Sequence, residues 1–162
     1  MKTDIRKPKR VIGRAEVIKL PEVGATEVPA RIDTGANTSA IWATNIVEQN
    51  GVLSFTLFGI ESPLFSGHVH HMHDFDRVIV ASSNGIEQER YKVRLLITLK
   101  GRRIRARFTL ADRSTQTYPV LVGRNVLRGK FIVDVTRGRA QSEAESLRSE
   151  ELQAKLSTKD HV

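Results

Sequence analysis

Apolar positions along the chain come in short runs separated by turn-forming residues. The runs are rich in Val, Ile, Leu, Thr and Phe and are bounded by Gly, Pro, Asn and Asp, a pattern typical of β-strands. Helices are predicted only over Ser39 to Val47 and in a short turn after Gly123, because each follows a Gly- or Asn-containing corner that could cap a helix. The sequence therefore predicts an all-β fold with strands over 10–20, 26–32, 52–58, 77–82, 86–98, 103–110, 118–122 and 131–135.

Two tight turns connect predicted strands in the middle of the chain. Ser82-Ser83-Asn84-Gly85 separates the run 77–80 from the run that begins at Ile86, and Asn-Gly between apolar runs is a strong hairpin signal. Lys100-Gly101-Arg102 joins the two long predicted strands that follow. We therefore expect two hairpins in succession.

The length and the two polar ends of the chain predict its domain organisation. A chain of 162 residues is of a size that forms one hydrophobic core. We expect a basic N-terminal arm over 1–9, a single domain over 10–136 and a polar C-terminal tail over 137–162. The tail is predicted to be a marginal helix or disordered, since its regularly spaced apolar residues are Leu147, Leu152 and Leu156.

Composition restricts the chemistry that the chain can perform. The absence of cysteine excludes disulfides, thiolate catalysis and Cys-based zinc sites. No run approaches the roughly 18 apolar residues of a spanning helix, and no apolar segment follows the charged start to form a signal peptide. We therefore expect a soluble, cytoplasmic protein without a membrane partner. Its reactive groups must be oxygen or imidazole groups.

The formal net charge of +8 would permit binding to nucleic acid. The basic residues are spread over four separate segments, however, and no aromatic side chains are interleaved with them to stack on bases. Nucleic acid is therefore not expected to be the main partner. A small basic RNA-associated protein stays open as an alternative reading.

Asp33 is the first candidate catalytic residue. It follows the apolar strand Val28–Ile32 and begins the segment Asp33-Thr34-Gly35-Ala36, so its carboxylate would emerge where a strand ends. The Thr34 hydroxyl can bond backbone groups, and Gly35 lets backbone approach the carboxylate closely. Such a corner would allow a second carboxylate to face Asp33. An ordinary Asp-Thr-Gly turn of a β protein is the alternative.

A second segment, Tyr118 to Leu127, is an apolar strand that ends in Gly123-Arg124-Asn125 and continues into the predicted helical turn. In order and spacing over residues 11 to 135, this combination resembles the retropepsins, the single-domain aspartic peptidases that include retroviral proteases. The resemblance implies a retropepsin-like barrel in which the second segment supports the loop of the catalytic Asp33. It also implies that Thr34 braces the catalytic pair, that Gly35 and Ala36 line the substrate floor, and that Val122, Gly123 and Arg124 belong to the crossing segment. Ser82, Ser83, Asn84 and Gly85 would form the flap that closes over the substrate.

Only one Asp-Thr-Gly occurs in the chain, whereas an aspartic peptidase needs two carboxylates that share a proton. The resemblance therefore implies a homodimer in which Asp33 of each copy contributes half of the site. The implied substrate is a peptide or protein bound in extended form. No cofactor and no metal are expected.

One position departs from the retroviral pattern. Retroviral members have an acidic residue four positions after the catalytic Asp, and it pairs with the Arg of Gly-Arg-Asn. This chain has Asn37 there, so Arg124 is left with a neutral partner or another acid. Subunit association is expected to differ in detail from that of the retroviral proteins.

The same residues, with Ser39-Ala40 and the Ser82–Gly85 turn, also look like a bacterial retropepsin-like group labelled as ATP-dependent zinc proteases. The label fits the residues poorly, because neither a Gly-Lys-Ser/Thr phosphate loop nor His-Glu-x-x-His occurs in the sequence. A cluster of His and Asp is expected to form a solvated loop instead of a metal site; it comprises His68, His70, His71, His73, Asp74 and Asp76.

Two further functions remain open at the level of sequence. A noncatalytic module with the same fold could bind peptides as a dimeric scaffold, although the intact Asp-Thr-Gly-Ala argues against it. A hydrolase of unusual amide or isopeptide bonds would carry the same residues as a peptidase.

Overall fold

The computed structural model describes residues 7–81, 84–138 and 142–159. The strands are β1 Arg10–Ile12, β2 Ala15–Leu20, β3 Ala25–Ile32, β4 Ser39–Gln49, β5 Val52–Leu57, β6 Val69–Met72, β7 Phe75–Ala81, β8 Glu87–Leu99, β9 Arg102–Ala111, β10 Val120–Val122 and β11 Phe131–Val133. The helices are α1 Arg124–Leu127, α2 Ser142–Lys159 and a 3₁₀ turn, Pro21–Val23. The predicted all-β class is confirmed.

Two sheets organise these strands. The large sheet has nine strands in the order β10-β3-β2-β8-β9-β4-β5-β6, with β7 paired to β8. The small sheet is the parallel pair of β1 and β11, in which Val11 lies opposite Ile132. Strand β10 pairs in parallel with β3 and antiparallel with β4. It therefore closes the gap between the two strands that flank the Asp33 loop.

The β8–β9 hairpin shows why the sequence forms strands. Apolar residues alternate along β9 with Arg103, Arg105 and Arg107, so one face of the strand is buried and the other is solvated. Phe108 is fully buried and lies opposite Val93 of β8. The turn between the strands has positive φ angles at Lys100 and Gly101, as a tight hairpin requires. Both expected hairpins are confirmed by the strand pairings.

The predicted helix over Ser39 to Val47 is wrong, because this segment is the first part of strand β4. Its first residues are bordered on both sides: Ile41 lies opposite Val120 of β10 and opposite Leu110 of β9. Ile41 is completely buried there. Pairing and burial decide the conformation here, and a local capping signal is weak against them.

The predicted strand 10–20 is two strands separated by Gly13 and Arg14. The chain at Arg137–Gly138 crosses this break, and a Cβ on Gly13 would lie 2.5 Å from the backbone of Arg137. The backbone amide of Arg14 donates to the carbonyl of Arg137 over 2.8 Å. Gly13 is thus required by a close crossing of two backbone segments.

Within the described residues, no helix is both long and apolar enough to cross a membrane.

Candidate active site

Asp33 lies directly after β3, at the point where β10 runs beside that strand. Ile32 pairs with Val122, and the backbone amide of Asp33 donates to the carbonyl of Val122 over 2.9 Å. On the other side, the amide of Ile32 donates to the carbonyl of Arg14 over 2.9 Å. The Asp33 backbone is therefore fixed by two neighbouring segments.

The loop after Asp33 holds the carboxylate itself. The amides of Gly35 and Ala36 donate to Asp33 Oδ1 over 2.9 and 3.2 Å. A Cβ on Gly35 would lie only 3.3 Å from that oxygen, so Gly35 allows the close approach that its position in the sequence suggested. Asp33 is partly buried, whereas Thr34 and Gly35 are exposed. The loop thus holds an oriented, partly buried carboxylate next to two exposed residues.

Gly123 is packed against the same loop. A Cβ at this position would meet the backbone of Thr38 and Ala36 at 2.7 to 2.9 Å, and the amide of Arg124 donates to the carbonyl of Ala36 over 2.8 Å. The Gly123 amide donates to Ser39 Oγ over 2.9 Å. Gly123 belongs to a segment that the sequence pattern marks, whereas no local pattern gives Ser39 a role in this junction.

Arg124 and Asn37 face each other as the sequence comparison with retroviral members suggested. A guanidinium N–H of Arg124 donates to Asn37 Oδ1. The acidic partner of the retroviral pattern is thus replaced by a neutral amide at the same place. Such a pair is weaker than a bidentate Arg–carboxylate pair.

Arg113 lies within electrostatic reach of Asp33, Arg31 and Arg90, and sequence reasoning missed it. Arg113 lies in the loop between β9 and β10, and its Nε donates to the carbonyl of Tyr118 over 2.9 Å. Burial, together with the neighbouring charges of Arg90 and Arg31, lowers the pKa of the Arg113 guanidinium, whereas the charge of Asp33 raises it. No local motif marks Arg113, because only the pairing of distant strands brings its loop to Asp33.

A cleft of about 530 Å³ is lined by residues of β4, of the first part of β8 and of the end of β9. Trp42, Arg90, Tyr91 and Asp112 are among the residues that line it. Of the four predicted flap residues, Asn84 and Gly85 are exposed in the turn, with φ of +76° at Gly85. Ser82 and Ser83 lie outside the described residues.

The histidine cluster is not the loop that the sequence predicted, because His70 and His71 lie in strand β6. His70 stacks on the buried Phe55, with ring centroids 5.4 Å apart, and its ring lies 4.7 Å from that of His68. Burial and then the charges of His68 and His71 lower the pKa of His70. Across the described ranges, no three His, Cys, Asp or Glu side chains are grouped as a metal site would require.

The structure therefore brings together most of the residues singled out in the sequence. Asp33, Gly35 and Ala36 form one loop, and Val122, Gly123 and Arg124 contact it through backbone hydrogen bonds or close packing. His70 and His71 lie on β6, at the opposite end of the sheet order from β10.

Comparisons with known proteins agree with this arrangement. Residues 11–144 match the model of the RimB-like family, described as retropepsin-like aspartic endopeptidase RimB. A crystal structure of a Legionella pneumophila protein of unknown function superposes with a TM-score of 0.60 at 24% identity, covering 83% of this chain and 100% of that one. That likeness concerns the fold alone.

Curated relatives carry a different kind of name. A probable alpha-L-glutamate ligase from Shewanella pealeana is 32% identical over 148 residues, which are 89% of this chain and 32% of that protein. One from Desulfotalea psychrophila is 28% identical over 136 residues, 78% of this chain and 28% of that protein. The chain thus spans about a third of the length of the curated relatives it matches.

Proposed function

Because the chain belongs to the RimB-like family of retropepsin-like aspartic endopeptidases, we propose that it hydrolyses peptide bonds with a pair of Asp33 carboxylates, one from each copy of a homodimer. The observation that carries the proposal is the orientation of Asp33. Its Oδ1 accepts hydrogen bonds from the amides of Gly35 and Ala36, in a loop where Thr34 and Gly35 are exposed. A twofold axis beside this loop would bring two such carboxylates together.

The proposed chemistry needs only these two groups and water. Two carboxylates a few ångströms apart hold one proton between them. The charged member removes a proton from water as the water oxygen attacks the peptide carbonyl carbon. The neutral member gives its proton to the carbonyl oxygen. Collapse of the tetrahedral intermediate then breaks the C–N bond, and a proton passes to the departing amine.

The flanking residues have supporting roles in this proposal. Thr34 braces the pair, Gly35 and Ala36 form the floor, and the β10 crossing with Val122 and Gly123 fixes the loop. The hairpin tip with Ser82, Ser83, Asn84 and Gly85 acts as the flap over an extended substrate. Near that tip, Ile79 and Ile86 are 71% and 65% exposed, which leaves apolar side chains available to contact a bound peptide.

The charges around Asp33 favour an acidic substrate. The charge of Arg113 interacts with that of Asp33 and with those of Arg31 and Arg90, and guanidinium groups bind carboxylates in a geometrically specific way. The curated relatives are named for ligation of glutamate, a residue with a carboxylate side chain. Peptides that contain glutamate are therefore the substrate class we propose. Ligation itself is not proposed, because the chain spans only about a third of the length of those relatives.

The test is cleavage of a peptide library that contains glutamate-rich sequences and lysine-rich sequences of the same length. Wild type, Asp33→Asn and Asp74→Asn are compared at a concentration at which sedimentation shows a dimer. Asp74→Asn is the matched control, since Asp74 is exposed between β6 and β7. We expect wild type and Asp74→Asn to cleave glutamate-rich peptides and Asp33→Asn to cleave none. The cleavage should persist in EDTA. Equal cleavage by Asp33→Asn would overturn the proposal.

A further inference from the structure

Helix α2 is attached to the barrel beside the catalytic loop. Glu145 Oε2 lies 2.7 Å from Arg14 Nη1, and the Arg148 guanidinium donates to the carbonyl of Thr115. Arg14 accepts the backbone hydrogen bond from Ile32, the residue before Asp33. The first half of α2 is therefore connected, through Arg14, to the residue that precedes Asp33.

The anchored helix and the barrel enclose a cleft of about 330 Å³. Arg31, Arg113 and Tyr118 line it from the barrel, and Glu145 and Arg148 line it from α2. Arg113, whose charge interacts with that of Asp33, thus lines this cleft together with Arg31. The carboxylate of Glu145 lies close to the positive charges of Arg14 and Arg31, and the carboxylate of an acidic substrate would be attracted by the same charges.

The electrostatics of Glu145 fit those of a bound ligand. Burial alone raises the pKa of this carboxyl, but hydrogen bonds from Arg14 and Tyr118 and the charges of Arg14 and Arg31 outweigh it, so the pKa is lowered. Glu145 is therefore held as an anion by barrel groups. An incoming carboxylate that reached the same groups would be stabilised in the same way.

The attachment is formed by polar contacts near the surface. Arg14 and Glu145 are 45% and 27% exposed in their side chains, and Leu147 and Leu152 of α2 are 61% and 51% exposed. Exposed ion pairs add little to stability, and apolar burial is what normally fixes a helix to a domain. Release of α2 is thus expected to cost far less than unfolding of the barrel.

We propose that α2 is an autoinhibitory strap. Glu145 occupies a carboxylate subsite formed by Arg14, Arg31 and Tyr118 beside Asp33, and an acidic peptide reaches that subsite only when α2 has left it. The identity of the competing peptide rests on the proposed function. The strap makes apparent substrate affinity depend on the fraction of molecules in which α2 is released.

The experiment uses the full chain with Asp33→Asn, so that the peptide is not consumed. Binding of a fluorescent tetraglutamate peptide is measured by anisotropy in this background and in versions that also carry Glu145→Gln, Arg148→Ala or Glu150→Gln. Amide hydrogen exchange of α2 is followed in the same proteins. Glu150→Gln is the matched control, because Glu150 is an exposed carboxylate of the same helix.

Arg148→Ala separates the strap from simple charge effects. Loss of a positive charge near the site would weaken binding of an acidic peptide, whereas release of α2 strengthens it. We expect Glu145→Gln and Arg148→Ala each to bind the peptide at least about three-fold more tightly, with faster exchange in α2. Glu150→Gln should match the parent protein in both measurements.

Two outcomes would overturn the strap: unchanged exchange and affinity in both release variants, or weaker binding in Arg148→Ala. The proposed peptidase is tested separately by the Asp33 comparison. Faster exchange and tighter binding in the release variants, together with a wild type that cleaves nothing, would support the strap and contradict the peptidase.

Discussion

The hydroxyl of Ser39 accepts a hydrogen bond from the amide of Gly123 over 2.9 Å, although 84 positions separate the two residues. Ser39 also donates to Asn125 Oδ1 over 2.8 Å and is completely buried. One side chain thus connects the start of β4 to the crossing strand and to α1. The junction beside Asp33 depends on this contact as well as on backbone pairing.

Replacement of Ser39 by Ala should destabilise the fold by about 1 to 3 kcal/mol, since it leaves the buried Gly123 amide without its acceptor. Urea unfolding followed by tryptophan fluorescence measures the change. Ser54→Ala is the control, because the Ser54–His71 hydrogen bond is solvent-exposed; its effect should stay within about 0.5 kcal/mol. Equal effects of the two substitutions would contradict the role given to Ser39.

Replacement of Gly123 by Ala should cost about 3 kcal/mol, the upper end for overpacking. The added Cβ would lie 2.7 Å from the carbonyl oxygen of Thr38, and that atom belongs to backbone. Gly51→Ala is the control for the loss of a glycine without a clash. A Cβ on Gly51 would meet nothing within 4 Å, and φ there is +73°. An alanine in this left-handed conformation costs about 1 kcal/mol of backbone strain. If Gly123→Ala proved no more destabilising than Gly51→Ala in urea, the close packing would be refuted.

Replacement of Asn37 by Asp should stabilise the protein by up to about 1 kcal/mol at low salt, because the carboxylate would pair with the Arg124 guanidinium. The gain should disappear at high salt. Any added negative charge reduces the repulsion in a chain of net charge +8. Asn50→Asp, in the exposed β4–β5 turn, therefore serves as the control. A gain no larger than that of the control would show that Arg124 does not respond to the new charge.

The free energy of unfolding should fall as the pH drops below 6.5, the ordinary pKa of an imidazole. The reason is that the pKa of His70 is lowered in the folded protein. The unfolded chain binds the proton first, so protonation favours unfolding until the pH passes the folded pKa. His70→Phe keeps an aromatic ring against Phe55 and removes the titration. Urea midpoints over a pH series should therefore decline less steeply in this variant; an identical decline would assign the pH dependence to other groups.

Local patterns predict much of this fold. The alternation of arginines with Ile104, Ala106 and Phe108 gives strand β9 directly, and the turn at Lys100 and Gly101 fixes its register with β8. The resemblance to retropepsins implies that the segment at Tyr118 to Asn125 supports the Asp33 loop, and the structure places the two side by side.

Other features could not be predicted because they depend on distant partners. Ser39 to Val47 has a helix-like start, but β9 and β10 border it on both sides. His70 and His71 form strand β6 only because β5 offers an edge on which they pair. Arg113 acquires its environment from Arg31 and Asp33 at the end of β3 and from Arg90 of β8, which are two other parts of the chain.

The parallel pairing of β1 with β11 has a mechanical consequence. Tension between the segment before Arg10 and the segment after Val133 pulls on opposite ends of two strands that run in the same direction. The load is then a shear, in which the hydrogen bonds of the pair must yield together, whereas a peeling force would break them one by one. The β1–β11 pair therefore has its greatest mechanical resistance in the direction in which the two flanking segments would pull. A pulling force applied through these segments would load the pair before it reached the Asp33 loop.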